Sequence, residues 1–263
     1  MNEHLTIRPD GRTVLHLERR LPHPPDKVWR AITEPEHLKH WFPAEVTITG
    51  DRVSFGFGPD GTVTELAPPR VFAYTWGDDE LRWQVRPDGD GSVLVLTHTF
   101  GDRFGAASFA AGWHTCVAAL LALLDGRRPT APGTAPDTAR LHEDYVAILG
   151  LTSGETDDGI VRLERQLTRP ADAVWQHLDG ARAQVGAPPP APFTVAGVPA
   201  GAVGRAEPGK LLEYATASGT VRWELAEGTG HGARLILTHT GDPASLPAWR
   251  ARVEELAAAL LPS

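Results

Sequence analysis

Two stretches of the chain share one order of apolar and polar positions. Residues 13–33 and 159–179 align without a gap, and both carry alternating leucines followed by a proline and a Val-Trp pair. Further on, Leu-Thr-His-Thr occurs at 96–99 and again at 237–240. An apolar helix face also recurs, as Trp113, Val117, Leu120 and Leu124, and then 136 positions later as Trp249, Val253, Leu256 and Leu260. This self-similarity predicts two tandem copies of one module.

Within each copy, the pattern predicts strands followed by one long helix. In copy one, alternating residues predict an opening strand that contains Leu15 to Leu21 and six more strands between 45 and 100. An apolar run then predicts a helix from about Ala106 to Leu124. A run of strands followed by a helix is typical of an α+β fold. We therefore expect two domains, each an antiparallel curved sheet around a long C-terminal helix.

Short helices are predicted after each opening strand. Pro24 and Pro170 suit the first turn of a helix, because that position needs no backbone N–H donor. In copy one a second helix is expected over 33–42, with Thr33 as N-cap and Glu36 completing a capping box. Copy two has the proline-rich segment 180–192 at this place, which cannot form a regular helix. Copy two is therefore expected to be a trimmed version.

The domain limits follow from the repeat. We expect a first domain over 1–151, which includes a trailing amphipathic helix at 138–149 after a Pro- and Thr-rich segment at 129–136. The acidic stretch 152–158 is expected to be a linker, and 159–263 the second domain.

Candidate site residues come from comparing the faces of matching strands. The positions flanking Arg19 are polar in both copies, so Arg19 is expected to point toward the helix. On the last strand of copy two, Arg234 is expected to face water. The position that matches His98 lies on the opposite face of that strand, so His98 is expected to point inward. The side chains expected to line the space between sheet and helix are Arg19, Trp41, Phe42, Trp76, Trp83, His98, Trp113 and Val117.

These residues support two interpretations. A mostly apolar space with a few polar groups suits a small hydrophobic ligand. Alternatively, Arg19 pairs with a carboxylate or lies at the sheet margin, His98 is a hydrogen-bonded core histidine, and the aromatic residues only fill the core.

Composition and charge exclude several classes of function. The net charge is -8 and the pI about 5.7, which disfavours a nucleic-acid partner. Residues 1–12 lack an apolar targeting segment, and the longest apolar run, 116–124, is too short to span a membrane. The single cysteine, Cys116, allows no internal disulfide and is expected to be buried. A cytoplasmic protein without a membrane span is expected.

Motifs for catalysis or cofactors are weak. Residues 56–61 match the spacing G-x-G-x-x-G, but they lie between two predicted strands and indicate a hairpin. His37 and His40 lie three positions apart without further metal ligands nearby in the sequence. No phosphate loop, nucleophile elbow or H-E-x-x-H motif occurs. The sequence therefore predicts no catalytic residue, no metal and no cofactor.

Four segments of copy one resemble a known family. They are VWRAITEPEHLKHWF at 28–42, ELAPPRVFAYTW at 65–76, GSVLVLTHTF at 91–100 and AAGWHTCVAALLALL at 110–124. Together they are similar to homologues of the activator of the 90-kDa heat-shock protein ATPase, within the SRPBCC or START-like superfamily, and copy two resembles a divergent member. The resemblance implies a helix-grip fold whose sheet and long helix enclose a cavity.

Three functions are compatible with these observations. The leading expectation is a non-catalytic protein that holds a small hydrophobic molecule in the cavity of copy one. The first alternative is a co-chaperone-like protein that acts on a heat-shock chaperone ATPase. The second alternative is a cyclase- or hydrolase-type enzyme that uses Arg19 and His98 in the same cavity.

Overall fold

The chain forms two compact units, which divide between Leu149 and Gly150. The computed structural model describes residues 2–130, 137–152, 154–230 and 232–262. Most of the segment expected to be irregular at 129–136 therefore lies outside the described residues. Each unit contains one antiparallel sheet and one long helix near its C-terminal end. The α+β class and the two helix-grip domains predicted from the sequence are thereby confirmed.

The first unit is built on an eight-stranded antiparallel sheet with the strand order β1-β2-β8-β7-β6-β5-β4-β3. Its strands are β1 (Asn2–Ile7), β2 (Thr13–Leu21), β3 (Thr47–Thr49), β4 (Arg52–Ser54), β5 (Gly61–Ala67), β6 (Val71–Trp76), β7 (Asp79–Asp88) and β8 (Gly91–Phe100). Its helices are α1 (Pro25–Thr33), α2 (Pro35–Leu38), α3 (Ala106–Leu124) and α4 (Thr138–Ile148).

One strand of this unit was not predicted, and one local expectation was wrong. The polar N-terminal segment forms β1, which pairs with β2 along its whole length. The capping box is absent, because Thr33 is the last residue of α1 and its Oγ1 donates a hydrogen bond to the carbonyl of Trp29 at 2.8 Å. The second helix starts at Pro35 and lasts only four residues, with no side-chain cap. A polar edge strand and a polar tail have the same composition, so only pairing distinguishes them.

Helix α3 is apolar around most of its circumference because it is covered on two sides. One side packs on the sheet and the other contacts α4. The segment Arg103–Leu124 is long and apolar enough by composition to cross a membrane, but 56% of its most apolar window is buried inside the unit. A helix that is hydrophobic all round is expected in such a covered position.

The second unit repeats this plan with a six-stranded antiparallel sheet of order β11-β12-β13-β14-β10-β9. Its strands are β9 (Gly154–Asp157), β10 (Ile160–Gln166), β11 (Ala200–Glu207), β12 (Leu211–Thr216), β13 (Thr220–Glu227) and β14 (Ala233–Thr240). Its helices are α5 (Ala171–His177) and α6 (Leu246–Ala259). The interval expected to be a linker, 152–158, thus contains β9, which pairs with β10.

The expected helix face is buried in both units. Trp113 and Leu120 on α3 are buried, as are their counterparts Trp249 and Leu256 on α6. One expectation about the opposite face was wrong: Arg234 on β14 is buried and does not face water. Its guanidinium donates hydrogen bonds to Glu164 and Gln166 on the neighbouring β10. Hydrogen bonds and an ion pair with the neighbouring strand thus accompany the burial of this charge.

Candidate functional site

Five of the eight candidate residues form one cluster of aromatic rings in the first unit. Trp83 lies edge-on to Trp41 at 5.6 Å and to Trp113 at 5.5 Å, measured between ring centroids. Phe42 joins this group to Trp76, with centroids 5.8 Å apart. Distances of this size are typical of favourable aromatic pairs. Elements α1 to α3 and strands β6 and β7 position these rings.

The cluster continues beyond the predicted residues to the surface. Phe55 stacks on Trp76 with centroids 4.3 Å apart, and Phe57 lies 5.8 Å from Trp76. Phe57 is 60% exposed, whereas Phe55 is buried. We call the seven residues Trp41, Phe42, Phe55, Phe57, Trp76, Trp83 and Trp113 the aromatic column. The column connects the interior face of α3 with an exposed phenylalanine.

The loop that carries Phe57 has a defined backbone. Gly56 and Gly58 have φ values of +72° and +70°, a region in which side chains other than glycine are strained. A Cβ atom at Gly77, in the turn between β6 and β7, would lie 3.1 Å from Cγ of Pro59, so the loop packs against that turn. The two glycines therefore hold Phe57 outward beside Trp76.

The interior beside the column contains a small space at the predicted position. This space between the sheet and α3 measures about 10 Å³, and four of the predicted residues line it: Arg19, Trp83, Trp113 and Val117. That is about the volume of a single water molecule, whereas ligand pockets measure roughly 300 to 1,000 Å³. In this structure the predicted cavity is filled by its own side chains.

His98 is held at both ring nitrogens. Nε1 of Trp113 donates a hydrogen bond to Nδ1 of His98 at 3.1 Å, and Nε2 of His98 lies 2.9 Å from a carboxylate oxygen of Asp79. The ring therefore carries its proton on Nε2 and donates it to Asp79. Both nitrogens are occupied, which leaves neither free to act as a general base on a substrate.

Arg19 lies in a polar network that joins four elements. Its guanidinium forms an ion pair with Glu3 on β1 and donates a hydrogen bond to the hydroxyl of Tyr145 on α4 at 3.1 Å. The same hydroxyl lies 2.9 Å from Nδ1 of His114 on α3. The prediction that Arg19 points to the helix side was right, and its partner there is a carboxylate.

Burial also changes the pKa values of nearby groups. It lowers the pKa of His114, an effect to which the positive charge of Arg19 adds, and it raises the pKa of Tyr145. Burial raises the pKa of the Cys116 thiol to about 12, so this cysteine is neutral and unreactive near neutral pH. These shifts favour the uncharged form of all three groups near neutral pH.

A larger groove lies on the outer face of α3, away from the aromatic column. It measures about 710 Å³ and runs between α3 and α4. Ala118 and Ala122 form its floor, while Arg127, Arg140 and Asp144 place charges of both signs around it. Its lining differs from the apolar pocket that the sequence predicted. The described residues contain no group of three or more His, Cys, Asp and Glu side chains that could hold a metal ion.

The comparison with family models decides the family of the first unit. Residues 22–125 match the model described as "Activator of Hsp90 ATPase homolog 1-like protein", AHSA1. The first unit is an AHSA1-like domain. The match spans α1 to α3 and strands β3 to β8, so it includes the whole aromatic column. No curated protein matches the chain.

Solved structures with similar folds come from several bacteria. CalU16 from Micromonospora echinospora is 20% identical, with 57% of this chain and 94% of that chain covered and a TM-score of 0.45. The conserved protein of unknown function EF2215 from Enterococcus faecalis is 20% identical, with coverages of 56% and 90% and a TM-score of 0.47. A protein from Bordetella parapertussis is 26% identical, with coverages of 50% and 84% and a TM-score of 0.41.

The second unit keeps the inner end of the AHSA1-like domain's aromatic column. Phe193 lies edge-on to Trp223 at 5.5 Å, as Trp41 does to Trp83, and Trp223 contacts Trp249 at 6.1 Å. Thr216 ends β12 at the position where Trp76 ends β6, so the outer end of the column is missing. Among the described residues, only the first unit therefore brings aromatic rings from the core to the surface.

The buried Arg165 of the second unit pairs with Glu254 of α6 at 3.1 Å.

Sequence reasoning missed several members of the site in the AHSA1-like domain. Asp79 and Tyr145 were not linked to His98 and Arg19, because their contacts span different elements. Phe57 carried a usable signal, since an aromatic residue between two glycines in a hairpin is poorly placed for a core.

Proposed function

We propose that the chain is a non-catalytic protein-binding factor that engages a heat-shock chaperone ATPase through the exposed end of the aromatic column. The observation that carries the proposal is Phe57, which is 60% exposed and packs beside Trp76 in a loop with two positive-φ glycines. Aromatic side chains are enriched among the few residues that contribute most of the binding energy of protein interfaces. The proposal places the protein in the cytoplasm.

The surroundings of Phe57 support a protein partner. Asp60 in the same loop pairs with Arg52. The exposed Phe57 and the half-buried Trp76 place apolar surface beside this charged pair, and apolar surface with a polar rim is typical of interaction sites. The family to which the first unit belongs is described by activation of a chaperone ATPase, which suggests the class of partner.

A small hydrophobic ligand between the sheet and α3 is the competing candidate. The space of about 10 Å³ beside Arg19 counts against it, since such a ligand needs a volume more than tenfold larger. Native mass spectrometry of the purified chain distinguishes the two. We expect the mass of the chain alone, and a copurifying apolar molecule would favour the interior site.

The enzyme alternative lacks a free base at the predicted position. Both ring nitrogens of His98 form hydrogen bonds, with Asp79 and Trp113. The guanidinium of Arg19 binds Tyr145 and Glu3. We therefore assign no reaction to this site.

The decisive experiment titrates the full chain into a chaperone of the Hsp90 class and measures both binding and the ATPase rate. Phe57→Ala is expected to weaken binding about thirtyfold, because truncation of a central aromatic contact costs about 2 kcal/mol or more. Ile7→Ala is the matched control, since Ile7 is 59% exposed on β1 and lies outside the aromatic column. Wild-type protein that neither binds nor changes the ATPase rate would show that the proposal is wrong.

A further inference from the structure

Two histidines face each other on the first β-hairpin, outside the aromatic column. His4 on β1 lies directly opposite His16 on β2 in the antiparallel register. Their rings are stacked, with centroids 4.7 Å apart and planes inclined by 16°. His4 is exposed and His16 half-buried, while Leu15 and Leu17 beside His16 are buried on the other face. The pair therefore lies on the outer, solvent side of the sheet.

The ring nitrogens of this pair have few partners. Nε2 of His16 lies 3.4 Å from Oγ1 of Thr6, a long contact for a hydrogen bond. The carboxylate that follows on the same face, Glu18, bonds to Arg86 at 2.8 Å. The imidazoles are thus available to an added ligand, whereas the nearest acidic side chain is already paired.

We propose that His4 and His16 form a two-imidazole site for a borderline divalent transition-metal ion, Cu²⁺, Ni²⁺ or Zn²⁺. Neutral imidazole is a preferred ligand of these ions, with metal–nitrogen bonds of about 2.0 to 2.1 Å for zinc. Directly opposed residues have Cβ atoms about 4.5 to 5.5 Å apart, so rotation of both rings about χ2 can direct one nitrogen of each to a shared ion. Water completes the coordination, since the pair supplies two ligands.

The second unit provides an internal comparison. The position that matches His16 is Arg162 on β10, and Glu155 on β9 lies opposite it. Arg162 forms an ion pair with Glu164 at 3.3 Å, so this hairpin has no pair of imidazoles at the matching position. The metal-binding arrangement is therefore specific to the first unit.

The experiment uses the full chain without an affinity tag. Isothermal titration with CuCl₂ and NiCl₂ measures affinity, and amide resonances broadened by Cu²⁺ locate the ion. Wild-type protein is expected to bind one ion at this hairpin. His4→Asn and His16→Asn are each expected to weaken binding about tenfold or more, because one imidazole alone lacks the gain from a tethered second ligand.

His37→Asn is the matched control, since His37 is a surface histidine that lies 3.3 Å from Glu34. This variant is expected to bind like the wild type. Circular dichroism verifies that each variant is folded. The proposal is overturned if either hairpin variant keeps the wild-type affinity, or if the broadened resonances centre on residues 34–40.

Discussion

Trp113 donates a hydrogen bond from its indole Nε1 to Nδ1 of His98 at 3.1 Å. The second unit contains the same relationship, from Trp249 to His239 at 3.2 Å. In each unit, a buried Trp-His hydrogen bond thus joins the long helix to the strand that precedes it in sequence. The surroundings differ, because Nδ1 of His239 also lies 2.8 Å from the hydroxyl of Ser245.

The first prediction compares the two bonds. Trp113→Phe leaves Nδ1 of His98 buried without its donor, which should cost about 1 to 3 kcal/mol beyond the lost packing. Trp249→Phe should cost less, because the hydroxyl of Ser245, which donates to the carbonyl of Asp242, can turn and donate to Nδ1 of His239 instead. Hydrogen exchange of β8 and β14, followed by mass spectrometry, measures each unit separately. Equal losses of protection in the two variants would contradict the role assigned to Ser245.

The second prediction concerns the pH dependence of the second unit. Nε2 of His239 is buried without a hydrogen-bond partner among the described residues, and burial lowers the pKa of this histidine, an effect that Asp242 partly opposes. The unfolded chain, with a histidine pKa near 6.5, therefore binds a proton at a higher pH than the folded unit does. The free energy of unfolding should fall as the pH drops below about 6.5 and stop falling below the folded pKa.

Nuclear magnetic resonance titration of the His239 ring measures this directly. We expect a titration midpoint below that of an exposed histidine. We also expect the amides of β14 to exchange faster at pH 5.5 than the pH dependence of the intrinsic exchange rates alone predicts. His239→Gln should remove this part of the pH dependence, whereas His177→Gln, at an exposed site, should leave it unchanged. A His239 midpoint at or above 6.5 would refute the assignment.

The third prediction tests the network that anchors α4. Tyr145→Phe removes the hydroxyl that accepts a hydrogen bond from Arg19 and donates one to Glu3. Hydrogen bonds to charged groups contribute about 1.5 to 3 kcal/mol, so α4 should lose protection from hydrogen exchange while β6 to β8 keep theirs. Tyr214→Phe, which removes a hydroxyl bonded to the carbonyl of Phe193 in the second unit, is the control. Loss of protection across the whole first sheet would show that Tyr145 supports more than α4.

The sequence predicted the elements with strong periodicity. The bounds of α3, Ala106–Leu124, follow from the apolar run, and the repeat oriented His98 and Arg19 toward the helix because polar neighbours identified the opposite face. The short α2 was less predictable, since Thr33 can cap a helix or bond backward to Trp29 with nearly the same sequence.

The state of the interior was not predictable from the residue types. Aromatic side chains line ligand pockets and fill cores equally well, and the outcome depends on how closely Trp83, Trp113 and Val117 pack. The burial of Arg234 likewise depends on Gln166 and Glu164 of another strand. Contacts between elements distant in sequence therefore decided the site, and single-strand patterns do not contain them.

The fourth prediction concerns the glycines beside Phe57. Gly58→Ala places a Cβ in open space, and at Gly56 the new atom would meet Cβ and the carbonyl oxygen of Glu45 at 3.4 and 3.6 Å, so neither substitution creates a severe clash. The cost is conformational, about 1 to 2 kcal/mol for each left-handed residue. The loop should relax to another conformation and move Phe57 away from Trp76.

Binding to the chaperone should therefore fall severalfold in Gly56→Ala and Gly58→Ala, while the midpoint of thermal unfolding should fall by no more than about a few degrees, because the loop can relax and release part of this strain. Gly101→Ala is the control, since this glycine has no positive φ and a Cβ there also meets open space. Calorimetric titration and thermal unfolding of the three variants measure both quantities. Wild-type affinity in Gly56→Ala and Gly58→Ala together would mean that the partner does not require the orientation of Phe57.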